Sequence, residues 1–171
     1  MGYVDENLIQ GEHVTYRAPL HWKVMLAPLL LSLFLLAIAI VVFEKSLGGS
    51  ETSRGLMILG AILLVASVVP LVKAWVAVSS SEFAVTNKRV ILKTGFIHKK
   101  TAEMFLGKIE SVGVDQTIFG RMFRYGSIEL RGTGGSLEPF TNVTRPLEFR
   151  RQIQEQIGQT LDRQSSSGRP Q

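Results

Sequence analysis

The residues that offer chemistry in this chain are few and mostly basic. Lys88, Arg89, Lys93, Lys99 and Lys100 lie close together, and cations so placed can attract an anionic leaflet, each contributing about 1 kcal/mol within a Debye length of the surface. The same charges would also serve as a solvated sheet edge that discourages strand-to-strand aggregation. His13, His21 and His98 are dispersed and have no metal-ligand spacing. Glu110 and Asp115 are separated by an odd number of positions, so a regular strand turns them to opposite sides, a poor acid–base pair. Gly132-Thr-Gly-Gly135 resembles a phosphate cradle in composition, but Ser136-Leu-Glu-Pro139 follows it and no helix begins there, so a hairpin turn is the expectation. No metal, cofactor or catalytic set emerges, and a non-enzymatic protein is expected.

The elements that must hold these residues begin with two apolar runs. Residues 24–43 carry no charge and, as a helix, would extend roughly 30 Å, the thickness of a bilayer core. A second run starts at Leu56 and, past Lys73, continues to about residue 76. Trp22 and Trp75 suit the headgroup boundary, Lys73 can snorkel, and Pro28 and Pro70 are placed near the helix ends. The segment before Val24 contains Asp5, Glu6 and Glu12, unlike the basic start of a signal peptide. A hairpin at 24–78 is therefore expected, joined by Glu44–Gly55, with Gly60, Ala61 and Ser67 available for close packing between spans or between copies. Arg17, Lys23, Lys73, Lys88, Arg89 and Lys93 flank it on the terminal side, against Lys45 and Arg54 in the connection, which predicts a multi-pass protein of the plasma membrane with both termini cytoplasmic. The formal charge of +5 is compatible with nucleic acid or an anionic membrane; the adjacent apolar runs favour the membrane, and no nucleic-acid partner is expected.

From Ser79 the pattern changes to short β segments: Glu82–Thr86, Arg89–Lys93, Phe96–Phe105, Ile109–Val114, Gly126–Arg131 and Leu137–Val143. In the fourth, Ile109, Ser111 and Gly113 alternate against Glu110, Val112 and Val114. Pro146 then opens an amphipathic helix with Phe149, Ile153, Ile157 and Leu161 along one stripe. The expected organisation is an N-terminal segment 1–23, the hairpin 24–78, an α+β domain 79–161 whose antiparallel sheet or partly closed barrel is covered by the C-terminal helix, and a disordered tail 162–171.

Several stretches then point to a family. Glu82-Phe-Ala-Val-Thr-Asn-Lys-Arg-Val-Ile-Leu-Lys-Thr-Gly95 resembles the opening hairpin of the bacterial PH-domain (pleckstrin-homology-like) family. So do Lys108-Ile-Glu-Ser-Val112, Phe119-Gly-Arg-Met-Phe-Arg-Tyr-Gly126, Gly132-Thr-Gly-Gly135 and Arg145-Pro-Leu-Glu148. The resemblance implies a PH-like fold preceded by two spans, and partners among lipids, peptides or proteins. Lys88-Arg-Val-Ile-Leu-Lys93 lacks the basic-x-Arg pair of phosphoinositide-binding members. Taken together, these features predict a membrane-anchored module for protein assembly or membrane-surface interaction. Its partners would be the bilayer, anionic headgroups at Lys88, Arg89, Lys93, Lys99 and Lys100, and another protein or a second copy. An oligomeric transport component, with the PH-like domain as scaffold or gate, is the rival reading; Ser32 and Ser67 are the polar residues its path would have available.

Overall fold

The computed structural model describes residues 2–47, 51–95, 99–136 and 139–167. It divides into two compact units, one formed by Met1–His21 with Ser79–Gln171, the other by Trp22–Val78.

The second unit is a pair of apolar helices. A 3-10 turn at Trp22–Met25 leads into α2 (Leu26–Ser46), and α3 covers Glu51–Ser79. Both are long and apolar enough to cross a membrane, and large side chains such as Leu30, Phe34, Ile62 and Val65 are exposed along them. Among the described residues of the two helices, the buried positions are all small. In α2 they are Ser32, Ala39 and Ser46; in α3 they are Ser53, Gly60, Ser67 and Ala74. Each recurs every seventh residue, the repeat that keeps one seam facing a partner in a left-handed supercoil, and small side chains let the backbones approach. Ser32 Oγ donates to the Ser67 carbonyl, and a Cβ on Gly60 would meet the Ala39 carbonyl at 3.7 Å. Gly60 and Ser67 are thus used inside the hairpin, whereas Ala61 is exposed. Pro28 sits in the first turn of α2, but Pro70 is interior because α3 continues to Ser79.

The first unit contains more than the sequence pattern promised. The strand β1 (Val14–Pro19) precedes the apolar helices, while β2 (Glu82–Thr86), β3 (Arg89–Thr94) and β4 (Lys100–Phe105) follow them; together they form one antiparallel sheet in the order β1-β2-β3-β4. The domain therefore does not start at Ser79, and residues 2–21 are not a separate segment. The helical pair is an insertion in the β1–β2 connection. β5 (Ile109–Asp115), β6 (Tyr125–Gly132), the two-residue β7 (Gly135–Ser136) and β8 (Phe140–Thr144) form a second antiparallel sheet with β6 at its centre. A single bridge, Leu20 to Val143, touches the first sheet's strand end to the second. Two sheets, not a closed barrel, are present among the described residues.

The helix α5 (Pro146–Ser167) packs Phe149, Ile153 and Ile157 onto a core of Phe83, Val85, Val90, Leu92, Ile128 and Leu130. It continues beyond Leu161 into the predicted tail, because extending an existing helix costs little and no Gly or Pro intervenes before Gly168. A short helix α1 (Tyr3–Glu6) covers the other face of the first sheet, where Val4 packs on Ala84 and Ile91. Burial on both faces explains the unbroken apolar run Val90-Ile-Leu92.

In β5 the expected alternation is displaced. A register shift between Ile109 and Ser111 lets Ile109, Val112 and Val114 all pack on the core, as a bulge does by inserting one residue. Glu110 and Asp115 are consequently both exposed and not on opposite sides. Parts of two predicted strands, Phe96–His98 and Leu137–Glu138, fall outside the described residues.

Candidate functional site

The register of the first sheet separates the basic cluster into two groups. Pro19, Glu82, Lys93 and Thr101 form one cross-strand row, and Thr94 pairs with Lys100 just beyond it. Val14 pairs with Thr86, and Arg89 with Phe105, at the opposite end. At 3.3 Å per residue the two ends lie roughly 13 Å apart. Lys93, Lys99 and Lys100 therefore belong to the end where the chain leaves and re-enters this unit, while Lys88 and Arg89 belong to the far end.

At the far end the charges are already engaged by Asn7, Gln10 and Glu12. Arg89 is only 9% exposed. Its Nε and Nη2 donate to the Glu12 carboxylate at 3.0 and 3.1 Å, its Nη1 to Glu103 at 2.6 Å, and its Nη2 also to the Asn7 carbonyl at 2.6 Å. Thr86 Oγ1 donates to Glu12 at 2.7 Å. Burial pushes the Glu12 carboxyl upward, but the Ile9 amide, the Thr86 hydroxyl and the Arg89 guanidinium outweigh it and hold the group below its ordinary value. Lys88 Nζ donates to the Gln10 carbonyl at 2.7 Å. Arg89 is thus a structural cation, and its sequence context, which shows only a basic pair in a turn, gives no hint of partners more than seventy positions earlier.

At the near end, the amides of Tyr3 and Val4 donate to the Glu82 carboxylate, both at 3.1 Å, and Lys93 Nζ lies 4.6 Å from the centre of the Tyr3 ring, a cation–π contact. Lys99 and Lys100 are exposed.

The connection between β5 and β6 also comes to this end, and it is a helix, α4 (Ile118–Phe123). Thr117 Oγ1 caps it by accepting from the Gly120 amide at 3.0 Å, a signal that was present in the sequence as Thr followed by apolar residues. Arg124 ends it in the left-handed conformation at φ 58°. Gly120 and Gly126 serve close packing: a Cβ would come within 2.7 Å of the Tyr125 carbonyl and 2.6 Å of the Asp115 carbonyl respectively. Arg145 N donates to the Arg124 carbonyl at 2.8 Å, which ties α4 to the start of α5. His21 N donates to the Asn142 carbonyl at 2.7 Å, and the His21 ring centre is 5.0 Å from that of Tyr125. The last residue of this unit before the apolar helices therefore packs against the residue that follows α4 and its cap. Val114, Gln116, Arg121, Arg124 and Arg145, with Asp115 and Glu148, line an open cavity of about 780 Å³ beside α4.

Gly132–Gly135 makes the tight turn expected, with Gly132 paired to Gly135 and φ 113° at Gly135. Among the described residues, no three His, Asp or Glu side chains come together as a metal site.

Two antiparallel sheets, a helix across their core and an apolar helical pair match the organisation that the sequence motifs implied. A family model described as Bacterial PH domain matches residues 26–157, well over half of the chain. The chain belongs to that family. Neither the comparison with curated proteins nor that with solved structures gave a match. The matched part of this bacterial PH domain starts at Leu26, the first residue of α2, so it leaves out β1 and the contacts that residues 2–21 make with β2 and β3.

Proposed function

We propose that the chain is a non-catalytic, membrane-anchored PH-like module whose domain works at the cytoplasmic face of the cell membrane, in protein assembly or in contact with the membrane surface. The observation that carries this reading is the pair of connections between the domain and the apolar helices. Leu20-His21 separates β1 from Trp22, and Ser80-Ser81 separates α3 from β2; the strand ends they leave, Pro19 and Glu82, are paired. If the helices span a bilayer, links this short keep the domain at its surface, and β1–β2 pairing requires both chain ends on one side. The excess of Lys and Arg on that side supports the cytoplasmic assignment.

The transport alternative needs polar side chains facing out of the hairpin. Ser32 and Ser67 face its seam, where Ser32 donates to the Ser67 carbonyl and Ser67 Oγ to the Leu64 carbonyl at 2.7 Å, which favours the anchoring reading.

The chain has no cysteine, so Leu47→Cys and Thr133→Cys each give a unique labelling site. In intact cells an impermeant maleimide should label the Leu47→Cys chain only, and Thr133→Cys only after lysis, with the protein retained in membranes through alkaline extraction. Release by alkali, or the reversed labelling pattern, would overturn the reading. Crosslinking in mild detergent then reports whether the module is held in a complex.

A further inference from the structure

The surface of α4 is unusual for a domain of this size. Ile118, Phe119, Met122 and Phe123 occupy positions i, i+1, i+4 and i+5, one face of a helix, and that face points outward: Ile118 is 85% exposed, Phe119 64% and Met122 65%. Leu147, at the start of α5, is also exposed and lines the cavity beside α4. Large apolar side chains clustered on a surface mark an interaction site more often than chance exposure does. Arg121, Arg124 and Arg145 border the cluster in the adjoining cavity. Two acids share that cavity, Asp115 and Glu148; Glu148 lies 3.5 Å from the Arg151 guanidinium and is offset by it.

We infer that α4 and its three arginines form a docking surface for an anionic lipid leaflet, with the apolar face entering the interfacial region and the guanidiniums meeting headgroup phosphates. Charge and composition favour this occupant: apolar side chains beside arginines are complementary to acyl chains beneath phosphates. Its place in the domain agrees. The His21–Tyr125 ring contact puts the C-terminal end of α4 beside the point at which the chain leaves for the apolar helices, so a leaflet that those helices cross is within reach. Backbone strain is concentrated here as well. Among the described residues, the non-glycine ones with left-handed φ are Arg124 (58°), Asn142 (59°) and Arg145 (50°), all in the corner formed by α4, β8 and α5. Such conformations are costly for a residue with a Cβ and are retained where the surrounding structure requires them. The inference rests on the anchoring reading and adds to it a defined lipid-facing site, distinct from the Lys88–Arg89 end.

The test uses the full chain in nanodiscs of phosphatidylcholine, with or without phosphatidylglycerol. A nitroxide is attached at Ile118→Cys or, as control, at Thr133→Cys, and its accessibility to oxygen and to a water-soluble nickel chelate is measured. With phosphatidylglycerol the Ile118 label should move into an oxygen-rich, chelate-poor environment while the Thr133 label stays in water. Arg124→Gly and Arg145→Gly remove charge at positions whose φ suits glycine, so the fold is retained; circular dichroism checks this. Each should lower the ratio of docked to free domain about fivefold. A water-exposed Ile118 label in both discs would overturn the docking surface and leave the anchor standing. So would a label shielded from the chelate without gaining oxygen, which indicates a protein partner or second copy, or lipid contact indifferent to phosphatidylglycerol and to both arginines. Failure of the chain to enter the discs would overturn the anchoring reading itself.

Discussion

Arg89 and Glu12 are joined by two hydrogen bonds, at 3.0 and 3.1 Å, across 77 positions of sequence, and the apolar helical pair lies between them in the chain. The Glu12 side chain is fully buried and that of Arg89 nearly so. Isolating either charge is therefore costly, whatever the net contribution of the intact pair.

Glu12→Ala leaves the Arg89 guanidinium buried with Glu103 as its remaining carboxylate. A destabilisation of about 3 kcal/mol is expected, at the lower end for broken buried pairs because of Glu103. Denaturant unfolding of the full chain in detergent, read by protease resistance of the domain, measures it. An effect under about 0.5 kcal/mol, the level of ordinary surface substitutions, would show that the pair does not hold residues 2–14 in place.

The same carboxylate makes stability depend on acid. Its folded pKa lies below the group's ordinary value of 4.5, so the native state favours the ionised form. That stabilisation is complete above about pH 4.5 and is lost as pH falls through the lower folded value. Hydrogen exchange in residues 2–14 should accelerate over that window, and Glu12→Gln should flatten the response. An unchanged pH profile in Glu12→Gln would assign the acid sensitivity to another group.

Lysine substitutions should separate the two ends of the first sheet. Lys99→Gln and Lys100→Gln should each weaken the domain's contact with phosphatidylglycerol-containing discs by up to about fivefold, the effect of one cation near an anionic surface. Lys88→Gln should change it little, because Lys88 is bonded to Gln10 at the far end. Arg89→Gln should act on folding. Equal losses from Lys88→Gln and Lys100→Gln would contradict this division.

The helical seam can be tested independently. Gly60→Ala should be tolerated, since the added Cβ would make ordinary contacts with Ala39 and Phe43 at 3.7 Å. Gly60→Leu should overpack the seam and cost about 1–3 kcal/mol. Circular dichroism during a sodium dodecyl sulfate titration reads the difference; the same midpoint for both variants would place Gly60 outside the helix contact.

The parts of the fold that could be read from sequence are those with local signals. Charge-free runs marked the helices, turn residues and β-branched positions marked β2 to β6, and Pro146 marked α5. What escaped depended on distant partners. β1 reads Val-Thr-Tyr-Arg-Ala-Pro, a weak alternation whose pairing strand lies beyond both apolar helices. The bulge beside Glu110 changed which side chains face inward without any residue that announces it. α4 had a capping threonine, but a helix of six residues is too short to show a repeating apolar stripe. Of the five cations first grouped together, strand register separated two from three, and only tertiary contacts showed Arg89 to be paired.

The split of the first sheet also sets an order on the chain's synthesis. β1 leaves the ribosome before the apolar helices, yet the strand it pairs with is translated only after both, several seconds later at about 5–20 residues per second. During that interval Val14, Tyr16 and Ala18 have no sheet to join. A nascent chain that threads only one of its helices across the bilayer would strand β1 and β2 in different compartments, and the domain would not complete. If the helices span a bilayer, folding of the sheet acts as a checkpoint on insertion, because β1 and β2 can pair only when both ends of the hairpin are on the same side.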